Sequence, residues 1–159
     1  MTKPLKLDTL VGRWAGSNKL WLFPGDPVRE SDTTATVELA AGGACATIRT
    51  TWATDGTAHE GILIIRTAAE TGDVDAVFMD SFHTSSAFMM FRGMASEDGG
   101  LSFLGSYAAP PGPDWGWRIT LSAEADGGFA IRMFNRPPEG QGEETPAVES
   151  LYARVGEGA

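Results

Sequence analysis

The chain has 159 residues, of which 42% are hydrophobic and 21% charged, so we expect one globular domain over residues 1–159. Its net charge of −9 argues against binding to nucleic acid and to anionic membrane surfaces, because both require clustered Lys and Arg. The single cysteine, Cys45, excludes an internal disulfide and a cysteine-rich metal site. Since the first residues lack the apolar core of a signal peptide, we expect a cytoplasmic protein, and we assign it no metal and no cofactor.

Apolar and polar side chains alternate with a period of two through almost the whole chain, which predicts strands and not helices. Only "LDTLVG", near the start, suggests a short helical turn. The predicted strands cover 12–22, 31–40, 44–54, 57–67, 74–82, 86–94, 101–108, 115–124, 128–134 and 147–155. A sheet of about ten sequential strands usually closes on itself, because closure removes its exposed edges. The sequence therefore predicts an all-β, antiparallel up-and-down β-barrel.

The sequence "TWATDGTAHEG" predicts a hairpin with Asp55-Gly56 as its two-residue turn. This register places Trp52 opposite His59 on one apolar face. It places Arg49 diagonal to Glu60 on the other face.

A second hairpin lies in "WGWRITLSAEADGGFAIRMFN". A two-residue turn would set Leu121 against Arg132, whereas a three-residue loop, 126–128, aligns the two apolar faces. The residues aligned by that loop are Trp117, Ile119 and Leu121 with Ile131, Met133 and Asn135. We predict the second register, because a slip of one residue would turn one apolar face toward solvent.

The stretch "GRWAGSNKLW" resembles the first strand of the calycin superfamily, which includes lipocalins, fatty-acid-binding proteins and nitrobindins. Those barrels commonly begin with Gly-x-Trp, matched here by Gly12, Arg13 and Trp14. The resemblance implies that Trp14 closes one end of the barrel beneath an arginine of the last strand, for which Arg154 is available. The implied role of this pair is packing, not catalysis.

Six motifs, in their order along the chain, resemble an uncharacterised family of small bacterial barrel proteins. They are "LVGRWAG", "WATDGTAHEG", "MDSFH", "GSYAAP", "WGWRITL" and "ESLYARV". That family stands beside the nitrobindins in the ten-stranded, fatty-acid-binding-protein-like group, so the resemblance implies a fold more than a function. A nitrobindin-like protein would bind haem through a histidine near the final strands, and this chain has no histidine after His83.

Asp80 and His83 interrupt the apolar stretch "FMDSFHTSSAFMMF". Residues three apart on a regular strand point to opposite faces, so the two side chains converge only if the strand ends or bulges at residues 81–82. In a structural interpretation, the pair terminates the strand through hydrogen bonds to the backbone and to serines. In a functional interpretation, Asp80 orients His83 as a base or hydrogen-bond donor at the mouth of a cavity.

Glu60 is a further acid–base candidate in an otherwise apolar strand. One interpretation is an outward ion pair with Arg49. If that face instead points inward, Arg49, Glu60 and Arg118 would form a polar patch for a carboxylate, as interior Arg and Tyr do in the fatty-acid-binding proteins that these barrels resemble.

Methionine and phenylalanine cluster around the Asp80 stretch, and adaptable methionine side chains suit the wall of a pocket. The two aromatic candidates for the site are Tyr107 and Trp117, the latter beside a proline-rich loop. The full predicted ligand-binding set is Arg49, Glu60, Phe78, Met79, Asp80, His83, Met89, Met90, Tyr107, Trp117 and Arg118.

Four functions remain open on the sequence. We favour binding of a small, largely apolar organic ligand in the barrel cavity. The second is an enzyme, an isomerase, cyclase or hydrolase, with Asp80, His83 or Glu60 as acid or base. The third is nitrobindin-like haem binding. The fourth is an interaction module that acts through its outer surface, which includes assembly into a homodimer.

Overall fold

The computed structural model describes residues 5–84 and 86–156, which form a closed antiparallel barrel of ten strands. The strands are β1 Gly12–Leu20, β2 Arg29–Ala40, β3 Cys45–Thr54, β4 Thr57–Thr67, β5 Asp73–Asp80, β6 Met89–Ala95, β7 Leu101–Tyr107, β8 Trp115–Ala123, β9 Phe129–Arg136 and β10 Thr145–Arg154. Each strand pairs with its neighbours in sequence, and β1 also pairs with β10, which closes the sheet. The predicted all-β barrel is confirmed.

Helical structure in the described residues consists of two short 3-10 turns, Leu7–Leu10 before β1 and Ala41–Gly43 between β2 and β3. The first of them lies within the predicted helical turn. No helix of the described residues is long and apolar enough to cross a membrane.

The first predicted hairpin register is confirmed. Trp52 pairs with His59, and Ile48 pairs with Leu63. Asp55 and Gly56 have φ values of 50° and 78°, the positive values that a two-residue turn matching the twist of the strands requires at both positions.

The second predicted register is also confirmed, since Trp117 pairs with Asn135 and Leu121 pairs with Ile131. The connection is shifted by one residue from its predicted place. The Glu124 amide donates to the Gly128 carbonyl (2.9 Å), so the connecting residues are 125–127 and not 126–128.

The 3-10 turn Leu7–Leu10 covers one end of the barrel, here termed the closed end. Trp14 is 2% exposed there, and its indole Nε1 donates to the Leu10 carbonyl at 2.7 Å. The Arg154 guanidinium lies 4.2 Å from the Trp14 ring centroid and donates to the Val11 and Thr9 carbonyls. The arrangement that the calycin resemblance implied is therefore present.

Side chains from all around the sheet fill the middle of the barrel. The largest side chains with almost no exposure are Phe103, Phe129, Leu20, Ile48, Ile65, Leu101, Ile119, Leu121, Val37 and Val74. Because they come from eight strands, the interior is a packed core over much of its length.

Candidate functional site

The opposite end, here termed the mouth end, is where β5 stops at Asp80. One Asp80 carboxylate oxygen accepts the backbone amides of Phe82 (3.0 Å) and His83, and the other accepts His83 Nδ1 at 2.8 Å. The Asp80 amide donates to Thr84 Oγ1 at 2.7 Å. The chain therefore leaves the strand in a tight turn directly after Asp80. This turn brings Asp80 and His83 together, and β6 begins at Met89, three residues later than predicted.

The Asp80–His83 pair is largely buried, with the two side chains 4% and 14% exposed. Burial alone would raise the pKa of Asp80. The hydrogen bond and charge of His83, together with the two backbone amides, outweigh that effect and lower the pKa of Asp80 below its ordinary value. Asp80 is therefore ionised at neutral pH.

Aromatic rings surround the His83 imidazole. The ring centroids of Trp52, Phe82 and Trp117 lie 5.7, 4.9 and 5.2 Å from it. Trp52 also contacts His59, whose Nδ1 lies 3.1 Å from Ser81 Oγ. Asp80 and the aromatic rings hold the imidazole in a fixed orientation. Among the described residues, we find no hydrogen-bond partner for its second nitrogen, Nε2.

An internal cavity of about 30 Å³ lies next to this pair. It is lined by Asn18, Thr33, Thr50, Trp52, Phe78, Asp80, His83, Ile131, Met133, Val148, Ser150 and Tyr152. Seven of these twelve side chains are polar, in contrast to the apolar core. The volume suits about one or two water molecules, whereas pockets for drug-sized ligands have roughly 300–1,000 Å³. A whole organic ligand therefore does not fit inside this cavity as it stands.

Polar side chains on the far side of the cavity form hydrogen bonds that link β10 to β1 and to β2. Ser150 Oγ donates to Asn18 Oδ1 at 2.7 Å, and the Thr33 and Tyr152 hydroxyls share a hydrogen bond of 3.1 Å. Burial raises the pKa of Tyr152, so its phenol stays protonated at neutral pH.

Two buried polar atoms have no hydrogen-bond partner among the described residues, namely Thr54 Oγ1 and Trp117 Nε1. Both residues lie at the mouth end, Thr54 as the last residue of β3 and Trp117 against His83. An unsatisfied buried polar group lowers the stability of a protein by roughly 1–3 kcal/mol. A hydrogen bond from either atom to a water molecule or a ligand would therefore be stabilising.

Six of the predicted site residues lie at the mouth end or face the interior. Asp80, His83 and Phe78 line the cavity, and Trp117 contacts His83. Met89 is buried and pairs with Phe78. Tyr107 contacts Trp117 and donates to Asn135 Oδ1 at 2.6 Å. Their role in ligand binding remains a prediction.

The other five predicted residues, Arg49, Glu60, Met79, Met90 and Arg118, lie on the outer surface. This corrects the predicted place of the two methionines in a pocket wall, whereas for Arg49 and Glu60 it agrees with the outward interpretation given above. Successive residues of a strand point to opposite faces of the sheet. In these strands the residues that alternate with the five are the buried ones, so the five point outward. The predicted interior patch of Arg49, Glu60 and Arg118 is therefore not formed. Arg118 instead makes two 2.7 Å hydrogen bonds to Glu144 on the outer face.

Three polar residues of the cavity, Asn18, Thr33 and Ser150, lie outside the predicted ligand-binding set. Each alternates with inward apolar residues of its strand, as Asn18 does between Trp14 and Leu20. Strand phase alone could have identified them, because an inward polar side chain is rare in a packed barrel.

No three His, Cys, Asp or Glu side chains of the described residues are grouped to hold a metal ion. The haem implied by the nitrobindin resemblance needs a pocket far larger than 30 Å³ beside His83. These residues do not fit that group.

Comparison with known proteins supports the fold. A solved structure titled "Crystal Structure of Rv2717c from M. tuberculosis" is similar to this chain with a TM-score of 0.64 and 18% sequence identity, covering 94% of this chain and 95% of that one. No curated protein matches the chain. A family model described as "Protein of unknown function (DUF1579)" matches residues 5–154.

Proposed function

Since this chain belongs to the DUF1579 family of proteins of unknown function, we propose its function from the site itself: it binds a small organic molecule at the mouth end of the barrel, with the Asp80–His83 pair as the polar anchor. The partner in this proposal is a small molecule, and nucleic acid and membranes have no part in it.

The observation that carries the proposal is a buried, ionised carboxylate that orients a histidine toward a polar cavity. Burying a charge is costly unless it is paired and hydrogen-bonded, and apolar residues would fill a barrel at lower cost. Nδ1 donates to the ionised Asp80, so Nε2 is the ring nitrogen left to a ligand. An imidazole that carries its one proton on Nδ1 accepts a hydrogen bond through Nε2. A hydrogen-bond donor on a ligand would satisfy it.

The shape of the site indicates which kind of molecule would bind. The cavity admits only a small polar group, so the rest of the molecule would lie among the aromatic rings around His83. Phe82 is the most exposed of these rings and is the side chain that would move to admit it. The site thus favours a flat, largely apolar body with a hydrogen-bond donor at one end.

Titration with N-phenyl-1-naphthylamine tests the proposal, because this fluorescent probe has an aromatic body and one N–H donor. We expect saturable binding of one probe per chain. His83→Gln should weaken it by about fivefold, the value of one hydrogen bond near 1 kcal/mol. Native mass spectrometry of gently purified protein would show in parallel whether a small molecule co-purifies.

Glu60→Gln provides the matched control, since Glu60 lies on the outer surface at the same end of the barrel. Its affinity for the probe should equal that of the wild type. Equal affinity in His83→Gln, or no binding of any probe by the wild type, would remove the support for this site.

The 2.8 Å contact between Asp80 and His83 Nδ1 favours catalysis as a second candidate function. A carboxylate that fixes the tautomer of a histidine leaves Nε2 to accept a proton from a substrate, as a general base does. Glu60 is removed from this hypothesis by its outward position. Turnover of a candidate substrate that survives His83→Ala would contradict it.

Two finer inferences accompany the proposal. The resemblance of the motifs supports a position of the family beside the nitrobindins and the fatty-acid-binding proteins. We also propose a cytoplasmic location, where the one free cysteine, Cys45, would stay reduced.

A further inference from the structure

The outer surface of β4 to β7 carries a continuous group of apolar side chains, here termed the apolar face. Its members are Ile62, Ile64, Val77, Met79, Met90 and Leu104. Met90 is the most prominent, with 66% of its surface exposed. Four adjacent strands thus present apolar side chains to the outside, where a barrel usually presents polar ones.

Strand pairing makes five of these side chains neighbours, whereas Leu104 lies opposite Arg92 and Arg118 and is diagonal to Met90. Ile64 is directly opposite Val77, which in turn is opposite Met90, and Ile62 is opposite Met79. A surface groove on this face is lined by Ile64, Val77, Met90 and Leu104 among others. Contiguous exposed apolar patches on soluble proteins mark interaction surfaces, whereas single exposed apolar residues do not.

The charges around the apolar face restrict the partner. The outward charged side chains of β3 to β6 around it are Arg49, Glu60, Arg66, Asp73, Asp75 and Arg92. Three are positive and three are negative, so this face is neutral on a chain with a net charge of −9. Two copies of so acidic a chain repel each other over most of their surface. At the apolar face this repulsion is absent, because the charges there do not add to the negative charge of the chain.

The same charges also make the face complementary to itself. Arg92 is 90% exposed and lies 3.7 Å from Asp75 on the neighbouring strand, so opposite charges stand side by side at the edge of the apolar group. In a contact with two-fold symmetry, the same patch meets itself in the opposite direction. Each arginine can then approach the carboxylate of the other copy.

We propose that the apolar face joins two copies of this chain in a homodimer with two-fold symmetry, in which the protruding Met90 of each copy packs into the groove of the other. A closed barrel has no free strand edge to offer, so association has to use a face of the sheet. This proposal is independent of what binds at the mouth end.

Sedimentation velocity of the full chain, from low micromolar to near-millimolar concentration, tests the proposal. We expect a species of twice the chain mass of 16.8 kDa. Met90→Glu and Leu104→Glu should each raise the dimer dissociation constant by about tenfold or more. The reason is that two-fold symmetry places two new carboxylates in the interface, one from each copy. Both positions are exposed, so circular dichroism should show an unchanged fold.

Phe23→Glu is the matched control, since it adds the same charge at a residue that is 68% exposed and lies between β1 and β2, away from the face. It should dimerise like the wild type. A wild-type chain that stays monomeric over the whole range overturns the proposal. So does a dimer that tolerates both glutamates. If the monomer instead co-sediments with vesicles of phosphatidylserine, the face is a membrane-docking surface and the proposal is equally overturned.

Discussion

Gly61 of β4 lies directly opposite Asp80 of β5, and a Cβ atom on Gly61 would stand only 2.8 Å from the Asp80 Cβ. The same atom would stand 3.2 Å from Thr50 Oγ1. Thr50 and Asp80 line the internal cavity, so the missing side chain at position 61 is what allows both polar groups to lie side by side there.

Gly61→Ala should therefore displace Asp80 and lower the free energy of unfolding by about 1–3 kcal/mol, the usual cost of overpacking. Chemical denaturation measures the loss, and the imidazole resonances of His83 report the displacement. Gly112→Ala is the control, because a Cβ there meets only the Ala109 carbonyl at 3.7 Å. Equal stability of the two variants would contradict the packing argument.

Asp80→Asn should lower the free energy of unfolding by about 1–3 kcal/mol at neutral pH, because it removes charge-assisted hydrogen bonds. The folded state lowers the pKa of Asp80 from 3.8. The contribution of this carboxylate is therefore complete above pH 3.8 and is lost as the pH falls through the lower folded-state pKa. Urea unfolding of both proteins at several pH values should show the difference shrink in acid. A difference that stays constant would contradict the assignment.

Two of the three buried tryptophans, Trp14 and Trp117, offer a paired test of the unsatisfied indole. Trp14 Nε1 donates to the Leu10 carbonyl, whereas Trp117 Nε1 has no partner among the described residues. Trp14→Phe and Trp117→Phe remove the same atoms, but only the first leaves a carbonyl unpaired. We expect Trp14→Phe to cost about 1–3 kcal/mol more in thermal or chemical unfolding. Equal losses would indicate that Trp117 is hydrogen-bonded in solution.

Arg154 connects the last strand to the turn that covers the closed end. Its guanidinium lies over Trp14 and binds the Thr9 and Val11 carbonyls. Arg154→Met keeps most of the side-chain volume and removes these interactions. We expect a loss of about 1–2 kcal/mol in stability and faster amide exchange in the Leu7–Leu10 turn. Arg132→Met, on the outer face, should leave exchange in that turn unchanged.

The sequence was sufficient for the presence of ten strands and for the register of two hairpins, because period-two alternation and turn residues are local signals. It was not sufficient to decide, for every strand, which alternate side chains face the interior of the barrel. In β4, Ile62 and Ile64 are as apolar as Leu63 and Ile65, so hydrophobicity does not tell which pair is inside. Pairing with the neighbouring strands decides which residues of β4 point into the barrel. Because the outward residues of β4 belong to the apolar face, the sequence of this strand alone is ambiguous.

The candidate site could be predicted only in part. Strand geometry predicts that Asp80 and His83 converge if the strand ends between them. The strand does end there, and the two side chains meet. That Asn18, Thr33 and Ser150 share a cavity with them depends on the curvature of the closed sheet. These three residues are between 47 and 70 positions from Asp80 along the chain, so their proximity leaves no local pattern in the sequence.

Closure of the barrel also has a consequence for how the chain is made. β1 pairs with β10, so Trp14 faces Arg154 across the seam. β1 can therefore pair with β10 only after β10 has left the ribosome. Until then the growing sheet has two unpaired edge strands, and part of its apolar surface is exposed. Of all stages in the life of this protein, the interval between synthesis of β2 and of β10 is the one in which we expect it to depend most on chaperones.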